Sequence, residues 1–421
     1  MKIAMMTNNY KPFVGGVPIS IERLANGLRE LGHTVYIFAP DYKSAVSDDK
    51  YTFRFPTTDK KIAGAIPVPT FVYAHMKKIF STLQIDIIHV HHPVLIGNVA
   101  VRIGKEFQIP VVYTYHTRYE QYLHYLKPFG YLQSKADSDC NIEKSVIDFV
   151  QQQMIQRYLN HFIGKCDLVL APTESMRNFL RKFDFDTPIS VAPTGLPQKS
   201  FEIYPCAKTI RHQFLQGKKY LFCTVSRLAK EKNIPFLLHG IAEVKAQLGN
   251  IFNVIILGDG PEKTVLQKRA AEMGLADNVF FLGGVPNSEI PAYHQACDLF
   301  IFSSISETQG IVLLEAMAAY LPVIAITATG VSDVVENGIN GMLSSDSVEE
   351  WANNLVLVLK NREILIGMKI EARKTALRYS EKIIAKKVLN DYQYLQKSYD
   401  AERWLYLHLD TNNQPMLIEE N

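Results

Sequence analysis

Two segments of the chain begin with the same succession of patterns, and this repetition is the strongest constraint on the fold. In each segment an apolar, strand-like run is followed by a loop and then by an amphipathic helix. The first copy predicts a strand at Lys2–Met6 and a helix over Ile19–Leu31. The second copy predicts a strand at Tyr220–Val225 and a helix over Ile234–Leu248. Because a strand, a loop and a helix form the building unit of parallel α/β sheets, each copy predicts the start of such a sheet.

Further apolar runs extend each copy into a sheet of its own. They are typical of buried parallel strands, which are apolar along their whole length. The predicted strands are Thr34–Phe38, Ile85–His89, Val111–Tyr115, Leu168–Ala171 and Ile189–Ala192 in the first half, and Val254–Leu257, Val279–Leu282, Leu299–Phe302 and Val323–Ile326 in the second. The pattern therefore predicts an α/β chain of two Rossmann-like domains whose parallel sheets face each other across a cleft.

Prolines and a glycine between Ala192 and Pro197 interrupt this pattern and mark the boundary between the two halves. We expect a first domain over residues 1–195, a second domain over residues 196–385, and a helical C-terminal segment over residues 386–421 that returns to the first domain. A chain of 421 residues can form two such domains, since domains have roughly 150 residues each.

Composition and charge exclude several classes of function. The formal net charge of +3 gives no reason to expect nucleic-acid binding. The five cysteines are widely spaced and contain no Cys-x-x-Cys pair, so neither a disulfide framework nor a zinc site is indicated, and a reducing cytoplasm is expected. The N-terminal apolar run is too short for a signal peptide, and the longest uncharged stretch, Ala316–Ser332, is interrupted by Pro322 and is not expected to span a bilayer.

A pair of glutamates brackets the start of a predicted helix in the second half. Glu307 follows the strand Leu299–Phe302, and Glu315 lies about one helical turn inside the helix. A helix N-terminus offers unpaired N–H groups that can seat a phosphate, and carboxylates beside it can accept hydrogen bonds from sugar hydroxyls. Isolated glutamates are more often surface residues, but Glu315 has apolar neighbours, among which an idle carboxylate is costly to bury. The residues of this helix start are Gln309, Gly310, Ile311, Val312 and Leu313.

Two cations follow the first strand of the second half, at its predicted carboxyl end. Arg227 and Lys232 can neutralise a diphosphate there as it leaves. A solvated basic loop is the alternative interpretation, and it is less favoured because the glutamates lie at the same edge of the same predicted sheet. Gly258 and Val285 lie in glycine-containing turns after two other strands and could frame a nucleobase, although turn chemistry alone also explains these glycines.

The first half offers a glycine pair and a histidine at the matching edge of its sheet. Gly15, Gly16 and Val17 follow the first strand, where glycines let a phosphate or sugar approach the backbone closely. A plain tight turn explains this glycine pair equally well. A lone histidine is more often structural, but His116 follows the strand residues Val111–Tyr115 and is predicted to project into the cleft, where it could act in catalysis.

Three further histidines, His89, His91 and His92, lie close together at the end of the strand Ile85–His89. They lack a companion carboxylate at helical spacing, so packing or loop contacts are favoured over metal binding. We expect no metal ion and no other cofactor, because Arg227 and Lys232 can supply the positive charge that a leaving diphosphate needs.

Together these residues resemble the GT-B retaining glycosyltransferases of family 4. The resemblance rests on Gly15–Val17, on Arg227 with Lys232, and on the spacing of Glu307 and Glu315, and it covers nearly the whole chain. It implies the transfer of a sugar from a nucleotide-sugar to a hydroxyl acceptor with retention of anomeric configuration. The roles that it implies are diphosphate binding by Arg227 and Lys232, ribose binding by Glu315, donor-sugar binding by Glu307, phosphate contact by Gly16 and sugar contact by His116. The expected catalytic residues are His116, Arg227, Lys232 and Glu307.

A narrower likeness concerns the acceptor. The segments Gly15–Ile21, Glu307–Gly310 and His116–Tyr125 resemble bacterial diacylglycerol glucosyltransferases, which make monoglucosyl diacylglycerol from UDP-glucose. This likeness implies a lipid acceptor at an anionic membrane surface, with peripheral association of a cytoplasmic protein with the inner face of the cell membrane. The implied acceptor contacts are Tyr119, Glu120, Tyr122 and His124.

Two segments combine aromatic residues with lysines and suit such a membrane surface. They are Phe71–Leu83 and Tyr119–Tyr131. An equally good interpretation is that each forms a helix whose apolar face lies on the protein core.

The residues leave two other functions open. An enzyme of the same class could use another donor or a soluble acceptor such as a sugar, an inositol phosphate or a small acid, and it would then be indifferent to lipid vesicles. A non-catalytic sensor of nucleotide-sugars could share the fold, since a fold does not determine an activity. The presence of all four charged residues of the predicted donor site argues against a sensor; they are Arg227, Lys232, Glu307 and Glu315. An NAD-dependent oxidoreductase is not favoured, because no Gly-x-Gly-x-x-Gly motif opens either half.

Overall fold

The computed structural model describes residues 1–13, 15–42, 49–62, 66–117, 153–305 and 307–409. By its internal contacts the chain divides into two units. Unit 1 comprises Met1–Pro172, Arg177–Ala192 and Ile384–Asn421, and unit 2 comprises Thr173–Met176 and Pro193–Ile383. The corresponding boundaries expected from the sequence are residues 195 and 385.

Unit 1 is built on a parallel sheet. Its strands are β1 (Lys2–Met6), β2 (Thr34–Pro40), β3 (Thr52–Phe55), β6 (Ile87–Val90), β7 (Val111–Thr114), β8 (Leu168–Ala171) and β9 (Ile189–Val191), with β4 (Thr57–Ile62) and β5 (Ile66–Pro69) forming a separate antiparallel pair. In the described part of the chain the order across the sheet is β3-β2-β1-β6-β7-β8-β9. The chain thus leaves β1 first toward one edge and then toward the other, which is the doubly wound arrangement.

Unit 2 repeats this arrangement. Its strands are β10 (Tyr220–Val225), β11 (Phe252–Leu257), β12 (Val279–Gly283), β13 (Leu299–Phe302), β14 (Val323–Ile326) and β15 (Gly341–Ser344). The order among the described strands is β12-β11-β10-β13-β14-β15, and all neighbours are parallel. The predicted α/β class with two Rossmann-like domains is confirmed.

Helices cover the sheets and bury their apolar faces against them. Among those before the middle of the chain are α1 (Gly16–Glu30), α2 (Val72–Leu83), α3 (Ile96–Phe107) and α4 (Glu174–Leu180). Those that follow are α5 (Ala207–Leu215), α6 (Ile234–Leu248), α7 (Lys263–Glu272), α8 (Ile290–Ala296), α9 (Ile311–Ala318), α10 (Val348–Lys360), α11 (Arg362–Arg378) and α12 (Glu381–Leu409). Every residue of β6, β7, β8, β11, β13 and β14 is buried, which explains why these strands are almost continuously apolar.

The C-terminal helix α12 begins in unit 2 and continues in unit 1. Its residues Ile384, Val388, Tyr392 and Leu395 lie on one face at helical spacing and are buried in the core that also contains β1 and β2. The prediction that a C-terminal helix packs on the first domain is confirmed. Among the helices that the structure describes, none has the length and apolarity needed to cross a bilayer.

Candidate active site

The loop Glu307–Gly310, called the glutamate loop below, joins β13 to α9 in unit 2. It lies directly against the backbone at Gly330. A Cβ on Gly330 would lie 2.8 Å from the carbonyl oxygen of Glu307 and 3.0 Å from the backbone nitrogen of Gln309. Gly330 also has φ +76°, a left-handed conformation that glycine adopts without strain. A glycine at position 330 is therefore required for the observed position of the glutamate loop.

Helix α9 begins at Ile311, and no side chain caps it within the described structure. The N–H groups of its first turn are therefore available as donors, and the helix end carries a partial positive charge. Val312 and Glu315 are half-buried. Leu313 differs, because its side chain is in the core and its N–H donates to the Gly310 carbonyl at 2.9 Å, so neither group is left for a ligand.

Lys232 and Glu307 form a direct ion pair. The Nζ atom of Lys232 lies 2.6 Å from Oε1 of Glu307, and the two side chains are 21% and 16% exposed. Lys232 ends a short 3-10 turn after β10, whereas Glu307 follows β13, and these two strands are neighbours in the sheet. The carboxyl ends of parallel strands lie at one edge, and this explains why residues far apart in sequence meet there. The structure therefore brings these two predicted residues together.

Arg227 pairs with Glu231, a residue that the sequence analysis missed. The Arg227 side chain is 54% exposed, so a ligand can reach it. Burial alone would raise the pKa of Glu231, but the hydrogen bond from Arg227 and the neighbouring positive charges outweigh burial and lower this pKa. Glu231 is thus an ionised partner, and both predicted cations lie against carboxylates. The sequence signal for Glu231 is its position four residues after Arg227.

Two serines at the end of β13 hold the loop that carries Lys232. The Oγ atom of Ser303 lies 2.9 Å from the carbonyl oxygen of Lys232 and 2.9 Å from that of the following residue. The Oγ atom of Ser304 and the backbone N–H of Ile305 each lie 3.3 Å from the carbonyl oxygen of Glu231. The position of the Lys232 ammonium is thereby tied to the strand that leads into the glutamate loop. These serines are not among the residues predicted from the sequence, where their signal is a polar pair directly after a buried strand.

Gln309 uses its side chain to fasten the glutamate loop. Its Oε1 accepts from the backbone N–H of Thr194 at 2.8 Å, and its Nε2 donates to the carbonyl oxygen of Thr194 at 3.1 Å. Gln309 is buried, and Thr194 lies in the segment by which the chain enters unit 2. Both ends of the Gln309 amide are thus engaged by Thr194, so this side chain has a positioning role that the sequence did not indicate.

The turns after β11 and β12 lie beside the Arg227 loop. The Gly258 N–H donates to the carbonyl oxygen of Gly283 at 2.8 Å, which joins the two turns. A Cβ on Gly258 would lie 1.8 Å from the carbonyl oxygen of Ser226, the residue before Arg227. Val285 is half-buried against the core of unit 2. The structure therefore brings both predicted nucleobase turns to the edge of the sheet that carries the cations.

The glycine pair of unit 1 lies at the start of a long helix. Gly15 precedes α1, and Gly16 is the first of its fifteen residues. A Cβ on Gly16 would meet no described atom within 4 Å, so the backbone there is open to an approaching group. Val17 packs against the core of unit 1.

His116 follows β7, and its ring contacts one of the clustered histidines. Nδ1 of His91 lies 2.8 Å from Nε2 of His116, and the two rings are stacked with centroids 5.1 Å apart. His91 follows β6, the neighbour of β7 in the sheet. Burial lowers the pKa of both histidines well below the usual range, so both imidazoles are neutral. The sequence favours packing or loop contacts for the histidine cluster. In the structure one member of the cluster, His91, contacts the candidate catalytic residue His116.

Comparison with known proteins identifies the class of protein to which this site belongs. The model of "Glycosyltransferase Family 4" matches residues 14–198, and that of "Glycosyl transferases group 1" matches residues 207–375. An alpha-monoglucosyldiacylglycerol synthase of Acholeplasma laidlawii is 29% identical over an alignment of 399 positions that covers 92% of this chain and 95% of the relative. A synthase of the same name from Streptococcus pneumoniae is 31% identical over 334 residues, 77% of this chain and 71% of the relative. The chain belongs to the family 4 glycosyltransferases.

Solved structures resemble this glycosyltransferase over most of its length. The crystal structure of Anabaena HepE in complex with UDP has a TM-score of 0.71, covers 94% of this chain and 100% of its own, and is 19% identical. Together with the two strand orders, this likeness confirms the GT-B fold class. The prediction of a glycosyltransferase is also confirmed.

The predicted acceptor residues of the glycosyltransferase, Tyr119, Glu120, Tyr122 and His124, lie outside the described residues, as does the whole segment Tyr119–Tyr131. They stay predictions.

The other candidate membrane segment forms α2 and the residue before it. Met76 and Phe80 are buried in the core, so for these side chains the interpretation of a core-facing helix is confirmed. Phe71 is 85% exposed, and Lys77 and Lys78 lie on the exposed face of the helix. The buried apolar face of α2 is thus not available to a bilayer, whereas Phe71, Lys77 and Lys78 are exposed and Lys77 is paired with Glu106.

Acidic triplets of the Asp-x-Asp type occur twice in this glycosyltransferase. Asp137–Asp139 lies outside the described residues, and Asp184 and Asp186 are exposed in the loop before β9. Within the described ranges, no group of three or more His, Cys, Asp or Glu side chains could hold a metal ion. The expectation of a metal-independent reaction rests on the cations Arg227 and Lys232.

Proposed function

We propose that this glycosyltransferase moves glucose from UDP-glucose to the free hydroxyl of 1,2-diacylglycerol, with retention of configuration, to form an α-glucosyl diacylglycerol. Two relatives, one aligned with 92% of this chain, are both named alpha-monoglucosyldiacylglycerol synthase. The observation that carries the chemistry is the Lys232–Glu307 ion pair beside the uncapped start of α9. These groups offer a cation, a carboxylate and helix N–H donors in one place, and a sugar diphosphate needs all three.

The donor diphosphate takes the place of the carboxylates that now face the two cations. Lys232 exchanges Glu307 for a phosphate oxygen, and Glu307 is then free to accept hydrogen bonds from the sugar hydroxyls. Arg227 exchanges Glu231 for phosphate oxygens, which suit the planar fork of the guanidinium. The first turn of α9 adds N–H donors and a partial positive charge. Glu315, one turn further along, binds the ribose.

Catalysis follows from the charge that develops on the leaving UDP. As the bond between the glucose C1 and the phosphate oxygen breaks, negative charge grows on the diphosphate, and fixed cations with helix N–H groups stabilise it without reorganising. The acceptor oxygen attacks C1 from the face that UDP leaves, and a phosphate oxygen takes the acceptor proton. The configuration at C1 is then retained and no protein nucleophile is needed. His116 contacts the sugar and Gly16 contacts the phosphate, and these contacts keep the reacting atoms aligned.

A lipid acceptor requires contact with a bilayer, which we assign to unit 1. Phe71 is largely exposed beside α2, and Lys77 and Lys78 are exposed on that helix. An aromatic side chain that enters the interface, with cations that meet lipid phosphates, suits an anionic surface. We therefore expect a cytoplasmic protein that associates peripherally with the inner face of the cell membrane. The segment Tyr119–His124 is expected to bind the acceptor.

The proposal is tested with the purified full-length chain. UDP-glucose is supplied with vesicles that contain diacylglycerol, with and without an anionic phospholipid, and the lipid product is identified by mass spectrometry and its anomeric configuration by NMR. We expect α-glucosyl diacylglycerol, more product on anionic vesicles, less with GDP-mannose, and no loss of rate in the presence of EDTA. Conversion of soluble acceptors at a rate indifferent to vesicles would reject the lipid acceptor. Silence with every donor and acceptor would favour the sensor.

Variants of the donor site separate the site assignment from the choice of acceptor. Arg227→Ala and Glu315→Ala should each lower turnover by about two orders of magnitude or more, because each removes a charge or hydrogen bond at the donor. Lys230→Ala is the matched control, since Lys230 is an exposed cation in the same loop that has no assigned role. Near-normal rates for either site variant, in protein that unfolds like the wild type, would refute the assignment.

A further inference from the structure

His91 is buried and takes no part in the proposed reaction. It is 1% exposed, and its Nδ1 lies 2.8 Å from Nε2 of His116. Its other ring nitrogen, Nε2, is buried and has no hydrogen-bond partner among the described residues. Within the described part of the structure, the contact with His116 is therefore the only hydrogen bond of the His91 ring.

The neighbouring histidines do not satisfy the free nitrogen of His91. The ring of His89 lies 4.2 Å from that of His91, centroid to centroid, but both of its nitrogens are engaged. Nδ1 of His89 bonds the Tyr392 hydroxyl at 2.6 Å, and Nε2 bonds the Thr114 hydroxyl at 2.6 Å. Nδ1 of His92 accepts a backbone N–H at 3.2 Å. Each of these rings is held by its own partners, and His91 is left to His116.

The free nitrogen decides which histidine donates the shared proton. Burial lowers the pKa of both rings, so each is neutral and carries one N–H. If His116 donated from Nε2, His91 would have to carry its own proton on Nε2 and bury an N–H with no acceptor. If His91 donates from Nδ1, its Nε2 is a bare acceptor. Orphaned buried N–H groups are rarer than under-satisfied acceptors, so the second arrangement is favoured.

We propose that His91 is a positioning residue that donates from Nδ1 to Nε2 of His116, so that His116 carries its proton on Nδ1 and presents that N–H to the donor sugar. The tautomer follows from the contacts above, whereas the contact with the sugar rests on the proposed function. In a neutral histidine, the hydrogen bond made by one ring nitrogen determines whether the other ring nitrogen carries the proton. In the opposite tautomer His116 would present a lone pair to the sugar, which can accept a hydrogen bond from a hydroxyl but cannot donate one.

The tautomer is read directly by NMR on the full-length protein with ¹⁵N-labelled histidine rings. The signals of His116 are assigned by their loss in His116→Gln. We expect a protonated Nδ1 and an unprotonated Nε2 at His116, altered signals in His91→Leu, and the wild-type pattern in His91→Asn, whose side-chain N–H can replace the Nδ1 donor. A wild-type protein protonated on Nε2 of His116, or an unaltered pattern in His91→Leu, overturns the inference.

Kinetics test the consequence for the reaction. His91→Leu should lower kcat/KM for UDP-glucose about tenfold, and His91→Asn should recover it to within about threefold of the wild type, as expected for one hydrogen bond. A purely structural role would lower stability and activity alike in both variants, so unfolding curves are recorded in parallel. An unchanged kcat/KM in His91→Leu overturns the positioning role. A wild-type protein that transfers no glucose overturns the proposed function, and the NMR signals then still decide the tautomer.

Discussion

Gly330→Ala is expected to displace the glutamate loop. A Cβ at this position would meet the carbonyl oxygen of Glu307 at 2.8 Å and the backbone nitrogen of Gln309 at 3.0 Å. Both are backbone atoms, so neither can rotate away. Gly338 provides a matched control, because its φ of +79° is nearly that of Gly330, yet a Cβ there would meet no described atom within 4 Å.

The two contributions can be estimated separately. Alanine in the left-handed region costs about 1 kcal/mol, so Gly338→Ala should lower the free energy of unfolding by about that amount. At Gly330 the collision with backbone atoms adds about 1–3 kcal/mol, the usual cost of overpacking, for a total of about 2–4 kcal/mol. Because a misplacement of about 1 Å can lower a rate about a hundredfold, Gly330→Ala should lower kcat/KM for UDP-glucose about 10- to 100-fold.

The assay combines urea unfolding, followed by far-ultraviolet circular dichroism, with initial rates of glucosyl transfer at a temperature where both variants are folded. Gly338→Ala should retain kcat/KM to within about twofold, since a Cβ there meets no described atom within 4 Å and so displaces no loop of the site. If both variants lose the same free energy of unfolding, or if Gly330→Ala keeps full activity, the argument that Gly330 supports Glu307 is refuted.

Three further variants test the loop contacts. Gln309→Met should lower kcat/KM about tenfold. Gln295→Met is its control, because Gln295 makes a similar pair of amide hydrogen bonds to the backbone, and it should lower only the free energy of unfolding, by about 1–2 kcal/mol. Equal losses of kcat/KM in the two variants would contradict this role of Gln309. Glu231→Gln removes the carboxylate that competes with the diphosphate for Arg227, and it should lower KM for UDP-glucose about two- to threefold. A raised KM would contradict the proposed exchange of Glu231 for phosphate oxygens at Arg227. Ser303→Ala should raise KM about threefold or more in initial-rate measurements, and an unchanged KM would remove its role.

The central strands can be predicted from the sequence because burial on both faces makes them apolar throughout. The bounds of β1, β10, β13 and β14 agree with the predicted ones for this reason. The edge strands β3 (Thr52–Phe55) and β15 (Gly341–Ser344) are missed, because each mixes polar or glycine residues with apolar ones and so lacks a continuous apolar run. Helix α1 begins before the predicted residue, since Pro18 is tolerated in a first helical turn.

The charged residues of the candidate site can be predicted from the sequence, but the hydrogen bonds that hold its loops in place cannot. Lys232 and Glu307 could be assigned to one edge because the carboxyl ends of neighbouring parallel strands must meet. The contacts of Ser303 with a loop carbonyl and of Gln309 with Thr194 could not, because their partners are backbone atoms whose positions depend on the folded loops. Residue type gives no information about such partners. The His91 contact was hidden for a similar reason, since burial decides which ring nitrogen lacks a partner.

The path of α12 also determines when the chain can complete its folding during synthesis. The sheet of unit 1 leaves the ribosome early, whereas Ile384, Val388 and Tyr392, which fill its core, are translated after the whole of unit 2. Until then the nascent first half exposes an apolar surface that a chaperone can cover. An isolated N-terminal half will therefore be prone to aggregate, and separate expression of the two halves requires that this last helix be grafted onto the first.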